Sequence, residues 1–96
     1  MNAPLPSLEA FRAEWLGQGY DEVLAREWAP GQLVQEHRHP FDVQALVVRG
    51  SLVLGCAGEQ RTLQAGDRFG LAADVPHTEH YGPEGATFWV ARRNPR

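Results

Sequence analysis

After residue 20 the chain is cut at short intervals by turn-forming residues: Pro30-Gly31, Arg49-Gly50, Ala57-Gly58, Ala65-Gly66-Asp67, Asp74, and the run "GPEG" from Gly82 to Gly85. Glycine reverses a chain by tolerating positive φ, whereas proline and aspartate favour particular turn positions. The segments between are short: "EVLAREW", "LVQEHRH", "VQALVV", "SLVLGC", "EQRTLQ", "RFGLA", "TEHY" and "ATFWVARR". Many short strands separated by turns about every eight to twelve residues specify an all-β sandwich or barrel. "ALVV" and "SLVLGC" are apolar at consecutive positions, whereas a strand with one wet face alternates. The sheet is therefore expected to be covered on both sides, by the barrel interior on one and by a helix or a partner subunit on the other.

The one helical pattern comes first. Ser7 suits an N-cap, and Glu9 lies in the first turn, where the helix dipole favours negative charge. Leu8, Phe11 and Trp15 recur at helical steps before "GQG" ends the pattern. This predicts a short helix over 7–17 behind a loose tail over 1–6. No linker or repeat appears, so residues 1–96 are expected to form one domain. A chain of 96 residues buries a thin core, and a homodimer, through sheet faces or strand exchange at the N-terminus, would add to it. The formal net charge is −3 with no basic block, which argues against nucleic acid as a partner. No apolar run approaches the roughly 20 residues of a membrane helix. The N-terminus has no positive segment or continuous apolar stretch of the signal-peptide kind. The single cysteine, Cys56, fits a reducing compartment. A cytoplasmic protein with no membrane partner is expected.

The stretch "HRHPFD" carries the chemistry. Residues two apart on a strand project to one face, about 7 Å apart, so His37 and His39 can lean onto one ion. Gly31, five residues, His37, one residue, His39, then Gly50 after "PFDVQALVVR" resembles the first motif of the cupin family. Gly66, "DRFGL", Ala72, Asp74, His77 and Tyr81 follow the spacing of the second, with Ala72, Asp74 and Tyr81 in place of its Pro, Gly and Asn. The resemblance spans residues 22–92. It implies an all-β, cupin-type jelly-roll barrel with one short N-terminal helix and a site in its mouth. It also implies His37, His39 and His77 as metal ligands. Three imidazoles suit zinc, nickel, copper or iron, and an added carboxylate shifts the preference toward iron and manganese, which leaves the divalent ion among iron, manganese, nickel and zinc.

The chain departs from the family at the glutamate of the first motif. Counting back from Gly50 puts Val43 there, and counting on from His39 puts Gln44 there; neither is a carboxylate. Gln44 could coordinate through its amide oxygen. Glu79 shares a strand face with His77 and is a candidate fourth ligand or general base. Asp42 reaches the site only if the chain bulges near Pro40. The plainer readings are a metal-free histidine pair at the rim, a surface role for His80, and a salt bridge from Glu79 to Arg92 or Arg93. Trp15, Trp28 and Trp89 read as core or subunit contacts, Cys56 as a small filler, and Phe41 as a wall of the pocket. Three functions are compatible with these residues. They are a metal-dependent enzyme (dioxygenase, isomerase or lyase) acting on a small molecule, a small-ligand-binding or sensory module, and an oligomeric scaffold with a vestigial site.

Overall fold

The computed structural model describes residues 5–95. The first four residues of the expected tail lie outside that range. One helix, α1 (Leu8–Leu16), precedes six strands: β1 (Glu22–Trp28), β2 (Leu33–His37), β3 (Asp42–Cys56), β4 (Glu59–Gln64), β5 (Arg68–Leu71) and β6 (His77–Arg93). They form one antiparallel sheet in the order β1-β6-β3-β4, with β2 paired to β6 and β5 paired to β3. Among the described residues, no helix is long and apolar enough to cross a membrane.

Ser7 caps α1 by accepting a hydrogen bond from Ala10 N at 3.0 Å. The helix stops at Gly17, where a Cβ would lie 2.9 Å from the Ala13 carbonyl oxygen. Nine residues are too few for a helix to hold in water by itself, so docking must stabilise it. Phe11 supplies the anchor. It is 1% exposed and meets Trp89 at 5.9 Å between ring centroids. Phe11, Tyr20, Val23, Leu46 and Ala91 form a cluster between helix and sheet. The other sheet face encloses the main core, which includes Val43, Ala45, Val47, Leu52, Leu54, Phe69, Phe88 and Val90. Both faces of β3 are thus covered near its start: Val43, Ala45 and Val47 face inward, and Leu46 faces the helix.

Two sequence-predicted breaks are not strand ends. β3 runs through Arg49-Gly50, and β6 runs through residues 82–85. The pairing of these strands shifts register between Val47 and Arg49 and again between Gly50 and Leu52. Gly50 and Gly85 have φ of 76° and 69°. A Cβ on Gly50 would overlap the Gly85 carbonyl, and one on Gly85 would overlap the Trp28 carbonyl. These glycines serve a close crossing of three backbones, so the same residue type that signals a turn here makes a bulge. Two other strands end earlier than their sequence segments, β2 at His37 and β5 at Leu71. The Ala57-Gly58 signal is a true hairpin: both residues have positive φ, 54° and 78°, as a two-residue type I′ connection requires.

Candidate metal centre

His37 closes β2, His39 follows it, and His77 opens β6. A register shift between Val34 and His37 aims the first of these inward. Val34 packs against the main core. In a regular strand a residue three further on would face the other way. The extra residue restores the inward direction at His37, and Glu36 is left exposed. Asp74, at φ 65°, donates its backbone N–H to the His39 carbonyl at 2.7 Å. That bond ties the loop before His77 to the segment carrying His39.

The three rings converge. Centroid separations are 4.8 Å for His37–His39, 4.2 Å for His37–His77 and 5.1 Å for His39–His77. One nitrogen from each lies within 4.8 Å of the others, a grouping that could hold a metal ion. His37 Nδ1 is 2.9 Å from the Gln35 carbonyl oxygen, and His77 Nδ1 is 3.0 Å from that of Val75. A carbonyl only accepts, so each Nδ1 carries the proton and donates. In the neutral rings this leaves both Nε2 atoms as lone pairs. The pKa of His39 is lowered by burial first and then by His37 and His77 beside it, which favours its neutral, ligating form.

Glu79 completes the cluster. Its Oε2 lies 3.3 Å from His37 Nε2 and 3.7 Å from His77 Nε2. Its Oε1 accepts a hydrogen bond from the Tyr81 hydroxyl. Burial, and then this bond to Glu79, push the Tyr81 hydroxyl well above the usual phenol range, so it stays a donor. Tyr81 in turn stacks on Trp28 at 5.0 Å. Neither Arg92 nor Arg93 pairs with Glu79. Arg92 lies 4.7 Å over Phe41 and 3.4 Å from Glu22, and Arg93 holds Asp42.

Two of the sequence-derived alternatives for the fourth ligand are corrected by the geometry. Gln44 sits opposite Gly70 with its amide packed over that glycine, on the sheet face opposite to the imidazoles. Strand parity sends Val43 into the cavity and Gln44 out. Asp42 accepts from Arg93 Nη2 at 2.7 Å, Arg93 Nε at 3.0 Å and Ala73 N at 2.8 Å, and takes no part in the cluster. Its pKa is lowered by the Arg93 hydrogen bonds first and the Ala73 bond second. His80 is exposed, and Cys56 packs partly buried against the core. Phe41 does wall the pocket and stacks on His39 at 4.9 Å.

A cavity of about 100 Å³ opens beside the cluster, with Trp28, Phe69, Leu71, Phe88 and Val90 among its apolar walls and Arg26 and Arg92 as cationic ones. Sequence reasoning gave Tyr81 only a motif position and Arg92 only an alternative ion pair with Glu79, and it did not single out Arg26. Tyr81 is two residues beyond Glu79, so the alternation that selected Glu79 also reaches it. Nothing local marks the arginines.

An antiparallel β-shell with imidazoles from two distant segments gathered at its mouth is a small cupin domain, of the double-stranded β-helix type. More narrowly, the chain belongs to the family of AraC-like ligand-binding domains, whose model matches residues 19–94. No curated protein matches it by sequence. Among solved structures it is similar to an RmlC-like cupin from Shewanella frigidimarina, at 26% identity and TM-score 0.65, covering 78% of this chain and 68% of that one. A structure of DMSP lyases gives 22% identity and TM-score 0.69, over 75% of this chain and 37% of that one. An oxalate decarboxylase variant from Bacillus subtilis gives 19% and 0.70, over 86% and 24%. The chain thus spans well under half of the lyase and the decarboxylase, and these two likenesses describe the fold alone.

Proposed function

We propose that His37, His39 and His77, with Glu79 as the fourth protein ligand, hold one divalent transition metal and that a small organic molecule sits beside it in the cavity. The observation that carries this reading is a surplus of acceptors. Two Nε2 lone pairs face a carboxylate oxygen at 3.3 and 3.7 Å, with each Nδ1 already committed to a carbonyl. Acceptors crowded in a part-buried site repel unless a cation, a proton or a metal ion, lies among them. Ligand atoms each about 2.1 Å from one ion stand about 3.0–3.4 Å apart at octahedral or tetrahedral angles, close to these distances. The carbonyls that fix the tautomers, and Tyr81 behind Glu79, are the outer partners such ligands need.

A set of three imidazoles and one carboxylate suits iron or manganese best, among the divalent ions considered. Such an ion, when bound, supplies a Lewis acid able to polarise a carbonyl or enolate oxygen. The chain's own residues do the rest. Tyr81 orients Glu79 so that one oxygen faces the imidazoles, and the apolar walls exclude water from the molecule bound beside them. In this arrangement Glu79 acts as a ligand rather than as a free base. Turnover of the bound molecule, by a dioxygenase, isomerase or lyase type of reaction, is the first reading. A module that binds without turnover is the second, supported by the match to ligand-binding domains.

Metal analysis of natively purified protein tests the proposal. About one equivalent of transition metal per chain, lost in His39→Ala, is the expected result. Protein that is metal-free and whose melting is unaffected by added Fe²⁺, Mn²⁺, Ni²⁺ or Zn²⁺ refutes it.

A further inference from the structure

Where the histidine cluster has too many acceptors, the cavity wall has too many donors. Arg92 Nε and Trp28 Nε1 are buried and have no hydrogen-bond partner. Both residues line the cavity, as does Arg26. Arg26 makes no ion pair among the described residues and lies 5.2 Å from the Trp28 ring centroid. Arg92 lies 4.7 Å over Phe41, which itself stacks on His39. A guanidinium held over an aromatic ring keeps its N–H edge free to donate. Register puts both arginines on inward-facing positions: Arg26 is opposite Phe88, and Arg92 is opposite Val43, two residues that also line the cavity.

Buried N–H groups without acceptors cost free energy, and a bound molecule that brings oxygen acceptors to this wall would recover it. The group that matches forked guanidinium donors is a planar anion with two oxygens. Size narrows the choice further. The cavity holds about 100 Å³ and is open on one side, so a small molecule fits its enclosed part. We propose that the molecule held here is a small organic carboxylate, with its carboxylate against the unpartnered Nε edge of Arg92 and the remainder directed toward the histidine cluster. This deepens the proposed function by naming the ligand class, and it rests on the cavity being the ligand site.

Calorimetric titration tests it, using acetate, pyruvate and malonate, each against its neutral amide, and inorganic phosphate. The protein is titrated both after Zn²⁺ loading and after stripping with EDTA, with zinc stoichiometry measured separately. At least one acid is expected to bind, its amide not, and Arg92→Gln to weaken the acid on the order of ten- to hundredfold. Circular dichroism verifies the fold of each variant. Should Arg92→Gln not fold, Arg92→Lys, which keeps the charge and loses the forked donors, decides the matter. Equal binding of acid and amide, phosphate binding without any carboxylate, no binding at all, or arginine variants without effect would each overturn the inference. The metal reading fails separately, on zinc stoichiometry, since carboxylate binding to stripped protein would still uphold the role of Arg92.

Discussion

Replacing Tyr81 by phenylalanine isolates the one hydrogen bond that orients Glu79. The ring is 1% exposed and stacks on Trp28 at 5.0 Å, and phenylalanine keeps that packing while deleting only the hydroxyl. Glu79, itself 7% exposed, would be left with an unsatisfied oxygen. A hydrogen bond to a charged group contributes about 1.5–3 kcal/mol, and stranding a buried acceptor costs a similar amount. Taking about 2 kcal/mol, and about 4–8 °C per kcal/mol for a domain of this size, the melting temperature falls by roughly 8–16 °C. Metal affinity is expected to fall as well, about ten- to hundredfold, because Glu79 is free to rotate away from the imidazoles. Scanning calorimetry gives the first quantity and metal titration the second. A double-mutant cycle with Glu79→Gln then separates the Tyr81–Glu79 coupling from general loosening. A Tyr81→Phe protein that melts and binds metal like the parent would show that the hydroxyl does not position the carboxylate, and the account of the fourth ligand would fail.

Other perturbations probe the fold around the site. Gly50→Ala places a Cβ on the Gly85 carbonyl at a φ of 76° and should cost roughly 2–4 kcal/mol in urea unfolding; a loss below about 1 kcal/mol would contradict the close crossing. Phe11→Ala removes the helix anchor and should cost about 3–5 kcal/mol while leaving metal stoichiometry unchanged, since Phe11 packs on the far side of the sheet from the cavity. The pH dependence of stability should carry the signature of Asp42. Its folded pKa lies below the unfolded value, so its contribution is present above the unfolded pKa and lost as pH falls through the folded one. Thermal melts between about pH 5 and pH 2 should therefore decline less steeply in Asp42→Asn than in the parent, and identical acid limbs would exclude that role.

Much of this was legible in the sequence, and what was not shares a cause. β1 and β4 match their sequence segments to the residue because turn pairs bound them on the sides that matter. His37 and His39 stood out by two-residue alternation, His77 by the resemblance to the cupin motifs, and Glu79 by alternation with His77, and the structure gathers the four side chains together. The breaks expected at Gly50 and over 82–85 were misplaced because a positive-φ glycine reads alike in a turn and in a bulge. Only the partner strand distinguishes them, and that partner is distant in sequence. The choice between Val43 and Gln44 was likewise a question of parity, settled by Val43 pairing with Leu71 and facing the core. Tyr81 was hidden by being matched to a position in a motif rather than to its neighbour Glu79. The inward turn of His37 depends on a bulge in β2 that no local residue announces.

Among the described residues, β1 and β2 take their strand partner from β6 alone, and β6 comes after the other five strands in the chain. During synthesis, residues 22–37 must leave the ribosome and wait, with their backbone groups bonded only to water, until the segment ending at Arg93 has emerged. His37 and His39 are made some forty residues before His77, so the three imidazoles cannot gather before β6 is made. A nascent chain stalled before β6 would expose two unpaired strands to any neighbour.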